Sequence, residues 1–71
     1  MPVSYLPCRP VDGRSAYDVM VVRKGRDERV AHICHDKWTE TWAVLHTNGL
    51  IEKFDTLLCA RAGVAASYEA T

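Results

Sequence analysis

The segment Trp42-Ala43-Val44-Leu45-His46-Thr47-Asn48-Gly49-Leu50-Ile51-Glu52-Lys53-Phe54 constrains this chain more than any other, because Asn-Gly joins two β-prone runs. Asn and Gly both tolerate the positive φ that the central positions of a type I′ turn demand. The pair therefore predicts a tight hairpin at Asn48-Gly49, between strands Thr41 to Thr47 and Leu50 to Phe54. A second hairpin is predicted upstream. Tyr17 to Arg23 alternates Tyr17, Val19 and Val21 with Asp18, Met20 and Val22, and Glu28 to His35 alternates Val30, His32 and Cys34 with Ala31, Ile33 and His35. That period of two, rich in β-branched residues, is a strand signature, and Lys24-Gly25-Arg26-Asp27 is the polar turn between the two runs.

After the hairpins, Thr56 to Tyr68 reads as a helix with Asp55 as its N-cap, the carboxylate accepting from open amides of the first turn. Its apolar face is expected to hold Leu58, Ala62 and Ala65 beside Leu57, Val64 and Tyr68. Gly63 sits mid-helix at a cost of ~1 kcal/mol relative to Ala, so alanine there is expected to stabilise, whereas enlarging Ala62 to Leu should overpack the helix on the sheet. Residues 1–16 hold all three prolines, Pro2, Pro7 and Pro10, with Gly13, and read as an irregular arm lying against the domain through Val3, Tyr5, Leu6 and Val11. The expected fold is α+β: after this arm, one small domain over 17–71 forms an antiparallel β-meander of three to four strands. One C-terminal helix packs on one sheet face and leaves the other open.

With 71 residues, a domain buries only about 60% of the surface its unfolded chain exposes. A ligand cleft of roughly 300 Å³ would consume most of such a core, which places any activity on a surface. Nine basic and nine acidic side chains balance, so the net field steers the chain toward neither nucleic acid nor anionic membrane. No apolar run approaches the ~20 residues of a membrane span. Cys8, Cys34 and Cys59 are odd in number and widely spaced, and they read as thiols of a cytoplasmic protein, with a Cys34–Cys59 bridge as the alternative.

The one run with metal-ligand chemistry is His32-Ile33-Cys34-His35. On a strand, His32 and Cys34 share a face and His35 takes the other, so a tetrahedral site would need His46 together with Cys8 or Cys59. None of the paired ligand spacings of zinc motifs is present, and neither metal nor cofactor is assigned. A Cys–His nucleophile built on Cys34 or Cys59 lacks an identifiable oxyanion donor, so no catalytic residue is assigned and the chain is read as non-enzymatic. Arg23, Lys24, Arg26 and Arg29 crowd the first hairpin tip, with Arg9 and Arg14 in the arm. They form either a ribbon for a DNA groove or a solvated turn that Asp27 and Glu28 neutralise. Trp38, Trp42, Tyr17 and Tyr5 are candidate anchors for a protein partner, one tryptophan being expected to complete the core and the other to stay exposed.

Three strands followed by Phe54-Asp55-Thr56-x-x-x-Ala60 and a helix resemble, over Tyr17 to Tyr68, the arm-binding domains of phage integrases and the plant ethylene-response type of domain. The resemblance implies DNA reading by the exposed sheet. Those domains carry arginines and aromatics there, whereas this chain presents Val30, His32, Cys34, Trp42, Val44 and His46. In size and charge balance alone, the chain also resembles phage accessory proteins that inhibit a host machine, anti-CRISPR proteins included. The leading expectation is a cytoplasmic binding module whose sheet face engages a protein partner or a second copy of itself, as a phage or mobile-element inhibitor would. The alternative is a small DNA-binding protein using the basic first hairpin.

Overall fold

In the computed structural model, residues 2–9 and 15–69 are described. Five strands, β1 (Val3–Pro7), β2 (Ala16–Arg23), β3 (Arg26–Asp36), β4 (Thr41–His46) and β5 (Ile51–Phe54), precede one helix, α1 (Leu57–Glu69). The sheet order is β1-β2-β3-β4-β5, every neighbouring pair antiparallel, so the chain is an unbroken meander with α1 against one face.

The first departure from the sequence reading is β1. Residues 3–7 are no irregular arm but an edge strand, registered Val3↔Val21, Tyr5↔Val19 and Pro7↔Tyr17. Proline removes one backbone donor, which an edge strand can spare on its unpaired side. Pro2 and Pro7 bracket the strand instead of abolishing it. The boundary expected at residue 17 therefore divides a single sheet; Pro10, Val11, Gly13 and Arg14 lie outside the described residues.

Both hairpins form, but the type I′ geometry expected at Asn48-Gly49 occurs at the first hairpin. Gly49 has φ 97°, but Asn48 is not among the positive-φ residues. Gly49 N–H donates to His46 O at 3.0 Å and His46 N–H to Leu50 O at 2.9 Å. Together these give a longer loop ending in a left-handed glycine, in place of type I′. The two-residue turn with both central φ positive is Lys24 (52°) and Gly25 (75°), closed by the Arg23↔Arg26 pair.

Tyr17, Val19 and Val21 face α1, as the alternation predicts. On β3 the pairing steps from Val19↔Ala31 to Met20↔Arg29, leaving Val30 as an extra residue in a β-bulge. The bulge switches the phase of the strand, so that Val30 and Ala31, adjacent in sequence, are both buried. The core is Val19, Val21, Val30, Ala31, Ile33, Val44, Ala60 and Val64, with Val3, Tyr5, Tyr17, Trp42, Phe54, Leu57 and Tyr68 packed around it.

The helix is capped by Thr56, not Asp55. Cys59 N–H donates to Thr56 Oγ1 at 3.1 Å, the bond that an N-cap hydroxyl makes to the third helical residue, and Asp55 is exposed. Its buried face keeps Leu57, Val64 and Tyr68 of the expected one and adds Ala60, but excludes Leu58 and Ala62. Ala60 and Val64 are buried and Leu57 and Tyr68 half-buried, while Leu58 is 79% exposed and Ala62 points to solvent. Residues 57, 60, 64 and 68 follow the three-to-four spacing of one stripe, and Leu58 and Ala62 fall on the opposite side.

Candidate functional site

The sheet face turned away from α1 brings together a thiol, a carboxylate and an imidazole. Pairing aligns one row across all five strands, Leu6↔Asp18↔His32↔Leu45↔Ile51, and a second, Ala16↔Cys34↔Ala43↔Lys53. Cys8 joins the end of the second row through its N–H to Ala16 O at 2.9 Å. Among the described residues no element covers this face, and Leu6, Leu45 and Ile51 (61% exposed) stand out on its flanks. Its middle is polar and half-buried.

There, His32 Nδ1 lies 3.0 Å from Asp18 Oδ1, and Arg29 Nη1 lies 3.7 Å from the same oxygen. The hydrogen bond from His32 holds the Asp18 carboxyl below the usual carboxylate range, with Cys8 and Arg29 adding to it against desolvation. Desolvation, then the neighbouring Asp18 charge, pushes the Cys8 thiol up. The ligand atoms of Cys8, Asp18 and His32 all lie within 4.8 Å of one another. Beside them, where the β2–β3 ribbon leaves β4, a shallow depression of about 350 Å³ is lined by Arg29, Ala31, His32, Leu45, His46 and Thr47.

On the covered face, His46 is buried and both its ring nitrogens are engaged: Nε2 lies 2.7 Å from Glu52 Oε1 and Nδ1 2.5 Å from the Tyr68 hydroxyl. An ionised carboxylate can only accept, so Nε2 carries a proton. The Tyr68 hydroxyl lies between His46 Nδ1 and Val30 O, the latter 3.2 Å away, an oxygen that Thr47 N–H reaches at 3.1 Å. A carboxylate, an imidazole and a hydroxyl in series look like a proton relay. Here the hydroxyl ends on the bulge of β3, and the network ties α1, β3, β4 and β5 together. Arg61 is held similarly on the β1 side, its guanidinium 4.8 Å from the Tyr5 ring and 5.1 Å from that of Tyr17.

The pairing register separates the residues that the sequence suggested as metal ligands. His32 and Cys34 lie on the open face, His46 beneath the helix, and Cys59 exposed on α1. No disulfide joins Cys34 to Cys59. The six residues read as the sheet's presented set also divide: Val44 pairs with Ile33 in the core, and Trp42 pairs with His35, their rings 4.9 Å apart. Trp42 and Tyr17 are thus half-buried against the core, whereas Trp38 is 82% exposed in the β3–β4 turn, with Lys37 over its ring at 5.6 Å. At the first hairpin tip, Arg23, Lys24, Arg26 and Arg29 are all exposed. Arg23 lies 3.6 Å from Glu28, so part of the basic patch is neutralised, as the solvated-turn reading requires. Sequence reasoning named Cys8 as one possible ligand beside His32, in company with His46, and missed Asp18. The available signal was a lone aspartate amid β-branched residues of β2, which alternation puts on the face away from Tyr17, Val19 and Val21; that it stands opposite His32 is a matter of register.

The class that these features define is a small α+β protein, a five-stranded antiparallel meander with a single helix on one face. Comparison adds no family to it: no family model, curated protein or solved structure matches the chain. Among the described residues no helix is long and apolar enough to cross a membrane.

Proposed function

We propose that the protein is a non-enzymatic binding module whose open sheet face, with Trp38 at its margin, engages a protein partner. One observation carries the reading. Leu6 on one flank and Leu45 and Ile51 on the other are exposed apolar side chains on either side of a polar centre, on a face that no described element covers, and apolar anchors set around a few polar groups are the pattern of a protein interface. A protein surface, read by aromatic and aliphatic anchors around a few charges, fits that pattern better than a small molecule, which needs a deeper cavity. In its most concrete version the module is an inhibitor that blocks a host protein by occupying its surface, as phage and mobile-element proteins of this size do. Pull-down from host lysate with the wild-type chain and with Leu45→Asp and Ile51→Lys variants tests it. A specific partner lost in both folded variants is the expected result, and equal recovery by all three chains, or a strictly monomeric protein that recovers nothing, defeats the proposal.

A second reading rests on the β2–β3 ribbon, whose residues 22–29 are all exposed and carry Arg23, Lys24 and Arg26 at the tip. Such a ribbon fits a DNA major groove, and its affinity for duplex would fall steeply with salt. Fluorescence anisotropy at low salt decides the matter: absence of duplex binding, or binding unchanged by Arg26→Glu, removes this reading.

A further inference from the structure

We propose that Cys8, Asp18 and His32 form a binding site for one divalent transition-metal ion of the zinc class. Three different donors, a thiol sulfur, a carboxylate oxygen and an imidazole Nδ1, are delivered by three adjacent strands or their immediate extension, within 4.8 Å of one another. The backbone fixes this convergence. Asp18 and His32 are direct cross-strand partners, and Cys8 continues the β1 ladder through its bond to Ala16 O, on the same face and diagonal to Asp18.

A tetrahedral ion with bonds of about 2.0–2.3 Å holds its ligand atoms roughly 3.5 Å apart. His32 and Asp18 stand at 3.0 Å and all three ligand atoms within 4.8 Å, so closing the site around an ion needs the His32–Asp18 pair to open by roughly half an ångström and Cys8 to move in, both by side-chain adjustment. A sulfur and a nitrogen in the set select zinc, cobalt or a similar ion over calcium or magnesium, which prefer oxygen. Binding deprotonates the thiol, releasing that proton to solvent, and requires the neutral His32 ring to carry its proton on Nε2 so that the Nδ1 lone pair faces the ion in place of the Nδ1–H bond to Asp18, giving a thiolate, carboxylate and imidazole set with the fourth position open to water. The ion would then pin β1 to β2 and β3. One feature opposes it: Arg29 Nη1 lies 3.7 Å from the same Asp18 oxygen and must swing away, which its exposed side chain permits.

That opposition supplies a test which a merely structural cluster would not pass. Chelator-treated full-length chain is titrated with Co²⁺ and with Zn²⁺, following visible absorption for cobalt and chelator competition for zinc. One ion per chain is expected, with thiolate-to-cobalt charge transfer and d–d bands of tetrahedral intensity. Cys8→Ser should abolish the charge transfer, His32→Ala should weaken binding at least tenfold, and Cys59→Ser, on the helix, should change nothing. Arg29→Ala, at an exposed position that leaves the fold intact, should tighten binding by roughly three- to tenfold through loss of a screened repulsion. Saturating zinc should also raise the melting temperature of the wild type and not of His32→Ala. No binding up to millimolar metal, charge transfer that survives Cys8→Ser or disappears with Cys59→Ser, or an Arg29→Ala affinity equal to or weaker than wild type would each overturn the assignment.

Discussion

Gly63 shows how a single atom reverses an expectation based on propensity. A Cβ built there would lie 2.6 Å from Phe54 Cζ and 2.9 Å from Cε1, so the helix lies over the Phe54 ring at a distance only glycine allows. Gly63→Ala is therefore expected to destabilise by about 1–3 kcal/mol despite the better helix propensity of alanine. The Phe54→Leu background should relieve part of that loss, a coupling that urea denaturation of the double-mutant cycle measures. Ala62→Leu, on the exposed side of α1, should be within about 0.5 kcal/mol of wild type. Tyr5 and Tyr68 act at the same scale through their protons. Burial raises both phenols above the usual tyrosine value of about 10, with Arg61 partly opposing this at Tyr5 and Glu52 adding to it at Tyr68. A folded pKa raised above the unfolded one gives stability that is complete below pH ~10 and is lost as pH rises through the folded values. The urea midpoint should accordingly fall on the alkaline side, and the fall should be shallower in Tyr68→Phe.

Among the elements, α1 and the first hairpin each depend on one local bond pattern. The Thr56 hydroxyl is the acceptor for Cys59 N–H, so Thr56→Ala should cost about 0.5–2 kcal/mol, while Asp55→Ala should be near neutral; chemical denaturation of the pair tests the placement of the cap. At the β2–β3 turn, Lys24 adopts φ 52°, a region that costs an ordinary L-residue ~1–2 kcal/mol and asparagine less. Lys24→Asn should raise the thermal midpoint, with a gain of up to about 1 kcal/mol. The β3–β4 turn has its own local tie, Trp38 N–H donating to Asp36 Oδ1 at 2.9 Å, and that bond holds the Asp36 carboxyl below its usual range.

For the molecule as a whole, β1 decides whether the helix stays in place. Val3 N–H donates to Glu69 Oε1 at 3.1 Å and the Tyr5 hydroxyl to Arg61 O at 3.2 Å, so the edge strand holds both the middle and the end of α1. Deleting residues 1–7 is expected to expose Val19 and Val21 and to abolish cooperative unfolding, read as loss of a sharp thermal transition. An arm without a structural role would leave that transition intact. The core it protects is small. Ile33→Ala should cost about 2–5 kcal/mol, a large share of the roughly 5–15 kcal/mol by which domains are stable. The open face, by contrast, should accept Leu45→Asp with little loss of stability, which is what separates a binding surface from a core.

The alternation of Tyr17 to Arg23, the Asn48-Gly49 dipeptide and the alanine-rich run after Asp55 were enough to write an α+β meander with a final helix, because periodicity and turn chemistry are properties of adjacent residues. The bulge at Val30 was not legible, since it arises from the pairing of β3 with β2 and changes which side chains share a face. The same holds for β1, whose prolines look disruptive until a neighbouring strand makes Val3–Pro7 an edge. That Ala60, and not Leu58 or Ala62, joins Leu57, Val64 and Tyr68 on the packed side of the helix was likewise decided by how α1 sits on the sheet. The candidate site divides along this line. His32 and its two-residue spacing to Cys34 could be read from the chain, but Cys8 and Asp18 came beside it only through strand register. Register depends on contacts between residues far apart in sequence, and those exist only once the sheet has formed.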